Sequence, residues 1–182
     1  MKNELLESEV DIIQRCIKGD RKAQFVLYHR YAKAMLNVAF RILNEKEEAK
    51  DVLQMSFLKA FTNLNRLKNH QGFGGWLKKI VVNTSINQLK KKGLNWMELS
   101  EQIIQHQEDK IEENPVFGME QAKKALMQLP SGYRTVLSLY LIEGYDHEEI
   151  AKILDISVST SLSQYARGKK KLKLILKNSN GD

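Results

Sequence analysis

Only two prolines, Pro115 and Pro130, and ten glycines interrupt the 182 residues of this chain. These residues break helices, so long helical runs are the first expectation. Apolar residues recur at intervals of three and four, and no extended period-2 run with hairpin turns appears. The sequence therefore predicts an all-α fold.

Ile12, Ile13, Cys16 and Ile17 share a face of a first helix over residues 8–18, stopped by Gly19. Asp20 is the expected cap of a long helix over 21–43, with Leu27, Tyr31, Leu36, Ala39 and Ile42 inward and Asn44 closing it. A third helix, over 45–64, turns Ala49, Leu53, Phe57, Ala60 and Leu64 inward, and Val52 and Phe61 widen the stripe. A fourth runs over 76–92, ahead of Gly93. Further on, Met119, Ala122, Leu126 and Leu129 share a face of a helix that Pro130 ends. Ser131 is the expected cap of the next helix, whose expected core residues are Val136, Leu137, Tyr140 and Leu141.

Asp146 and Glu149 then form an Asp-x-x-Glu capping box. The short helix it opens turns Ile150, Ala151 and Leu154 inward; Ile156 plugs a tight turn, and Ser157 caps a last helix from Val158. Two helices so joined read as a helix-turn-helix, with the second built to lie in a major groove.

Charge divides the chain. Residues 51–93 hold eight basic and one acidic residue, and residues 94–118 hold one basic and six acidic. That acidic stretch lacks sustained periodicity and reads as a linker between two small helical domains, at 8–93 and 119–177. Arg167, Lys169, Lys170, Lys171, Lys173 and Lys177 follow one another with no acid between them. A helix C-terminus favours cations, but six in eleven residues exceed that need and point to phosphate contact.

The stretch from Asn69 to Lys90 bears two readings. Phe73 and Trp76 lie near Asn69, His70, Lys78 and Lys79, and Asn83, Asn87 and Lys90 recur at helical spacing. Such residues hold single-stranded nucleic acid, with rings stacking on bases and cations on phosphates. Equally, Trp76 can pack in a core and the lysines can form a solvated face.

No metal or cofactor is expected, because His29, His70, His106 and His147 are scattered and Cys16 is alone. Cys16 reads as a reduced core residue. The stretch Gly72–Gly75 follows no strand and matches no phosphate-loop spacing. His147 beside Glu148 and Glu149 reads as the exposed first turn of a helix, so nothing argues for an enzyme. No apolar run approaches the ~18 residues of a membrane span, and the N-terminus is acidic. A cytoplasmic protein with no membrane insertion is expected.

Taken in order, these stretches resemble a known family across roughly residues 10–93 and 119–176: the small bacterial sigma factors of the extracytoplasmic-function (ECF) type, within the sigma-70 family. "EEAKDVLQMSFLKAF" resembles the family's acidic lead into Asp-x-x-Gln and Phe-Leu-x-Ala; "GWLKKIVVNTSINQLKKK" resembles its Trp-Leu…Asn…Leu-basic helix. "LMQLPSGYRTVLSLYLIEGYDHEEIAKIL" resembles its Leu-Pro…Arg-x-Val-x-x-Leu, Gly-Tyr and Glu-Glu-Ile-Ala. The resemblance implies a factor that binds core RNA polymerase, directs it to promoters and helps melt the −10 element. Asp51 and Gln54, with Lys50 and Glu48 beside them, would dock polymerase. Asn69, His70, Phe73, Trp76, Lys79, Asn83, Asn87 and Lys90 would hold the separated −10 strand. Ser159, Thr160, Leu162, Ser163, Gln164, Arg167, Lys170 and Lys171 would meet duplex DNA at −35. An anti-sigma factor is a typical partner of the family.

One departure stands out. Where the family has Thr-Val-Lys-Ser-Arg, this chain has Thr160-Ser161-Leu162-Ser163-Gln164. Either the helix is slightly rotated so that Leu162 packs inward, or −35 reading here is weaker and less electrostatic, or Leu162 meets a thymine methyl and Gln164 an adenine edge. Two other readings remain at this point: a two-domain helix-turn-helix regulator acting without polymerase, and a helical adaptor that binds only proteins.

Overall fold

The computed structural model describes residues 8–93 and 118–178. Among them no strand occurs, and eight α-helices follow the apolar periodicity. The described residues fall into two compact units, divided after Leu89 near the end of the fourth helix. The acidic linker expected at 94–118 lies outside the described residues, Gly118 excepted.

The first unit holds α1 (Glu9–Ile17), α2 (Arg21–Leu43), α3 (Lys46–Thr62) and α4 (Phe73–Lys91). Two 3-10 turns, Leu64–Arg66 and His70–Gly72, connect α3 to α4. Local chemistry sets the boundaries. The Asp20 carboxylate accepts hydrogen bonds from the amides of Lys22 at 2.8 Å and Ala23 at 3.3 Å, satisfying donors that α2 leaves unpaired. Arg15 pairs with the same carboxylate at 2.8 Å and holds its pKa below the usual value. Asn44 ends α2 at a φ of 58°, a conformation that asparagine tolerates.

The expected stripe of α3 is buried: Ala49, Val52, Leu53, Phe57 and Ala60, with Leu64 beyond its end. Two expectations differ. Ile17, the last residue of α1, is 43% exposed. In α2, Leu36 is only half-buried while Met35 and Val38 fill the core. That helix packs against both α1 and α3, so its buried face is wider than a single stripe. Tyr31 crosses from α2 to α1: its hydroxyl donates to Glu9 at 2.6 Å, and its ring meets Phe73 edge-on at 5.3 Å. Burial and the Glu9 carboxylate push the phenol up to about 12, so Tyr31 remains a neutral donor near neutral pH.

The second unit holds α5 (Met119–Met127), α6 (Ser131–Leu141), α7 (His147–Leu154) and α8 (Val158–Asn178). Leu126, Leu129 and Leu137 form its centre, with Tyr133, Tyr165, Leu172 and Ile175 packed against them. Helix α6 packs on both α7 and α8, and every residue from Arg134 to Leu139 is buried. A helix so enclosed has no clean stripe, and the expected core is corrected here. Val136, Leu137 and Leu139 are buried, whereas Tyr140 and Leu141 are 38% and 53% exposed. Met119, first in α5, is also exposed. Pro130, not Ser131, takes the cap position, and its carbonyl accepts from the Arg134 amide at 2.9 Å. The Arg134 guanidinium is itself buried and donates to the Leu129 carbonyl at 2.7 Å. Burial lowers its pKa from the usual value.

Neighbouring glycines in the first turn of α4 differ in their surroundings. A Cβ at Gly74 would lie 2.8 Å from the Tyr31 ring, while one at Gly75 would meet nothing within 4 Å. Gly75→Ala should gain about 0.5–1 kcal/mol from helix propensity. Gly74→Ala gains the same propensity but must displace a ring held by Glu9 and Phe73, for a net loss of about 1–2 kcal/mol. Denaturant unfolding of the two variants should move in opposite directions from the parent.

Candidate functional site

Three exposed stripes stand on the helices, and each follows from the face its helix buries. On α3 the buried residues leave Asp51, Gln54, Met55 and Leu58 together on the opposite side. Asp51 and Gln54 are exposed as expected. Lys50 and Glu48 are half-buried beside them, and Lys50 pairs with Glu47 at 2.7 Å, which lowers the Glu47 pKa. Sequence reasoning missed Met55 and Leu58, which are 42% and 70% exposed. Their signal was available: both fall off the buried stripe of α3, at the spacing of Asp51. Apolar side chains held out beside a carboxylate and an amide suit a protein partner.

On α4 the buried residues are Phe73, Leu77, Val81, Val82, Thr84, Ser85, Ile86 and Leu89. Trp76, Lys79, Asn83, Asn87 and Lys90 therefore share the other face, running the length of the helix; Trp76 is half-buried and the rest are exposed. Phe73 does not join them. It is fully buried against Tyr31, with Trp76 at 6.1 Å, so the expectation that it faces a nucleic-acid strand is corrected: its ring is core. Asn69 opens the 3-10 turn before α4, and its side-chain oxygen accepts from the Gln71 amide at 3.1 Å. His70 is half-exposed next to it. The stripe thus offers an aromatic surface at one end and amides and cations along its length. That combination suits an unpaired strand.

The third stripe lies on α8. The capping box forms as expected, with the Glu149 amide donating to Asp146 at 2.8 Å and the Asp146 amide donating back to Glu149 at 3.1 Å. Asp155 turns the chain at a φ of 63°, and Ser157 accepts from the Thr160 amide at 2.9 Å to start α8. Ser161, Gln164 and Gly168 face inward, at spacings of three and four. Gln164 is only 1% exposed, which overturns the expectation that it meets DNA. Leu162 is 50% exposed, so it is not core. Ser159, Lys170 and Lys171 are exposed, whereas Thr160, Ser163 and Arg167 are half-buried.

Ser161, which stands in a buried position, carries a polar partner. Its Oγ lies 2.9 Å from Nδ1 of His147, the first residue of α7. The His147 ring stacks on Tyr140 at 4.6 Å and meets Tyr165 edge-on at 5.4 Å. Helices α6, α7 and α8 are joined at this point. No group of three or more potential metal ligands occurs among the described residues.

Family matches cover both units. Residues 27–94 match the description "Sigma-70 region 2" and residues 119–172 match "Sigma-70, region 4". The chain is 27% identical over 176 residues to the RNA polymerase sigma-H factor of Pseudomonas aeruginosa, covering 90% of this chain and 91% of that one. It is 27% identical over 180 residues to the ECF RNA polymerase sigma factor SigW of Bacillus subtilis, covering 91% and 95%. Among solved structures it resembles the sigma factor RpoE of Bartonella quintana in complex with the anti-sigma factor NepR. That match has a TM-score of 0.54 and 21% identity, covering 82% of this chain and 94% of that one. It also resembles CnrH in complex with the cytosolic domain of CnrY, at a TM-score of 0.54 and 20% identity, covering 94% and 99%.

The His147–Ser161 contact yields a test. Ser161→Ala and His147→Ala should each lower stability by about 0.5–1.5 kcal/mol. The double variant should cost less than the sum of the two by at least about 0.5 kcal/mol, because they remove the same contact. A chemical-denaturation cycle measures this, and strictly additive losses would mean that the hydrogen bond contributes nothing.

Proposed function

This chain belongs to the sigma-70 family, in its ECF group, and from that premise we propose how its three stripes divide the work of a promoter-specificity factor for RNA polymerase. The protein binds core polymerase, carries it to promoters and helps to open the −10 element. One observation carries the reading. The two family matches fall on separate units, and the exposed residues of each differ as the two tasks demand.

Docking uses the α3 stripe. Asp51 and Gln54 supply polar contacts, Met55 and Leu58 supply apolar area, and Lys50 and Glu48 flank them. The −10 strand lies along α4, with a base against Trp76 or in the turn at Asn69 and His70. Lys79, Asn83, Asn87 and Lys90 hold the strand beyond it. Unpairing and unstacking cost a few kcal/mol per flipped base. Stacking on one aromatic ring returns about 1–3 kcal/mol. The two nearly balance, so opening needs no fuel once polymerase supplies the remaining contacts. Duplex DNA at −35 meets α8, with Arg167, Lys170 and Lys171 on phosphates and Ser159, Thr160, Leu162 and Ser163 nearer the bases. Bond chemistry belongs to polymerase, and the protein works where polymerase does, in the cytoplasm. Among the described residues no helix is long and apolar enough to cross a membrane. Two of the structural neighbours are held by anti-sigma factors or by a partner's cytosolic domain, and an inhibitor of that general kind completes the reading.

The test is direct. Asp51→Lys with Leu58→Asp should weaken binding of the full chain to core polymerase at least tenfold, the result of removing about 1.4 kcal/mol or more of interface. Both residues are exposed, so the melting temperature of the free protein should stay within about 2 °C. Promoter-dependent run-off transcription should fall in parallel. Unchanged polymerase affinity, with DNA binding intact, is the result expected of a regulator that acts without polymerase.

A further inference from the structure

The outward face of α8 changes chemistry halfway along. From Val158 to Ala166 it carries no cation; the first is Arg167, followed by Lys169, Lys170, Lys171 and Lys173. With Ser161, Gln164 and Gly168 turned inward, the exposed residues of the first half are Val158, Ser159, Leu162 and Ala166. Val158 and Leu162 are 42% and 50% exposed. Thr160 is half-buried, and its hydroxyl lies 2.8 Å from that of Ser157.

Base edges in a major groove are told apart by a short code. Guanine takes an Arg or Lys fork, adenine an Asn or Gln amide, cytosine a carboxylate, and thymine an apolar contact to its methyl group. The N-terminal part of a recognition helix is the part that reaches those edges. In α8 that part exposes no cation, amide or carboxylate, since Gln164, its one amide, is buried. The serine hydroxyls at 159 and 163 can pair with several bases and discriminate weakly. The apolar contact is what remains.

We infer that this protein reads its upstream promoter element through thymine methyl groups packed against Leu162, with Val158 and Ala166 to either side. The inference rests on the reading of α8 as the duplex-facing helix and names the chemistry of that contact. The cations of the second half lie on the flanking phosphates, where they fix position without reading sequence. Guanine has at most one reader on this face, Arg167, at the point where the apolar stretch ends.

Deoxyuridine isolates the claim, because it lacks the thymine methyl but keeps the same hydrogen-bonding groups. The full chain bound to core polymerase selects elements from promoter DNA randomised over the upstream contact, and each thymine of the preferred element is then replaced singly by deoxyuridine. At one or two positions binding should weaken about threefold to fivefold, the effect of one lost methyl contact. Leu162→Ala should abolish that difference, so thymine and deoxyuridine then bind alike, while Leu162→Met should retain it. Position 162 is half-exposed, and melting temperatures of both variants verify that they fold. Deoxyuridine without effect at every position, or a penalty that survives Leu162→Ala, overturns the inference and leaves the duplex-reading role standing, with DNA shape as the source of selectivity. Failure to select any upstream element overturns that role and the inference together.

Discussion

At residue 168 even a Cβ would crowd its neighbours. A Cβ there would lie 3.0 Å from Cβ of Tyr133 and 3.1 Å from Cδ1 of Leu137, tighter than an ordinary van der Waals contact, so α8 packs closely on these two side chains of α6. This closest approach fixes how α8 is rotated about its own axis. Gly168 must face α6, and residues one and two turns earlier must face the same way. Gln164 and Ser161 are therefore buried, and Leu162 and Ser159 point outward. The His147–Ser161 contact, with the stack of Tyr140, His147 and Tyr165, pins the other end of the same face. The recognition proposed for α8 would thus depend on packing in the interior of the second unit. A rotation by one residue, about 100°, would replace an apolar reading face with an amide-bearing one.

In the first unit the same logic separates two tasks by helix. α3 and α4 each bury one side, so the stripes proposed for docking and for strand binding stand on different helices of one unit. Lys59 of α3, one turn from Met55, donates to the Thr84 hydroxyl of α4 at 3.3 Å and links the two helices. A partner held at Asp51 and Leu58 therefore takes hold of the body that carries Trp76 and Lys79. In the proposed assignment, docking would then act on the same unit that carries the strand-binding face.

Much of this architecture was legible in the sequence because it is set locally. The bounds of α2, the Asp20 and Ser157 caps, the Asn44 stop and the Asp146–Glu149 box follow from residues within four positions of one another. The inner stripe of α3 was legible too, since that helix buries a single face. The misplaced residues depend on distant neighbours. Phe73 reads as an exposed aromatic until Tyr31 closes over it. Gln164 reads as a DNA contact until Gly168 sets the rotation of α8. Tyr140 and Leu141 read as core because enclosed α6 shows no periodicity to contradict them. Leu58 was legible by its place off the buried stripe of α3, but its apolar character masked it as a surface residue.

The apolar face of α8 also bears on why such a protein acts with polymerase. A buried methyl contributes about 0.8 kcal/mol, so two or three contacts separate right from wrong sequence by only some tens to a hundredfold. A genome offers on the order of a million or more competing sites, and the lysines beyond Arg167, in the phosphate-binding role proposed for them, would bind them all alike. The second unit by itself is then a positioner with a modest preference. Selectivity on the scale of a promoter needs a second contact made in the same encounter. With both units on one chain and polymerase holding the first, the −10 contact becomes intramolecular, and two weak preferences multiply. Weak upstream reading, as inferred for α8, is compatible with a specific factor only under that arrangement, which would make the proposed docking through Asp51, Gln54, Met55 and Leu58 a condition of recognition and not an addition to it.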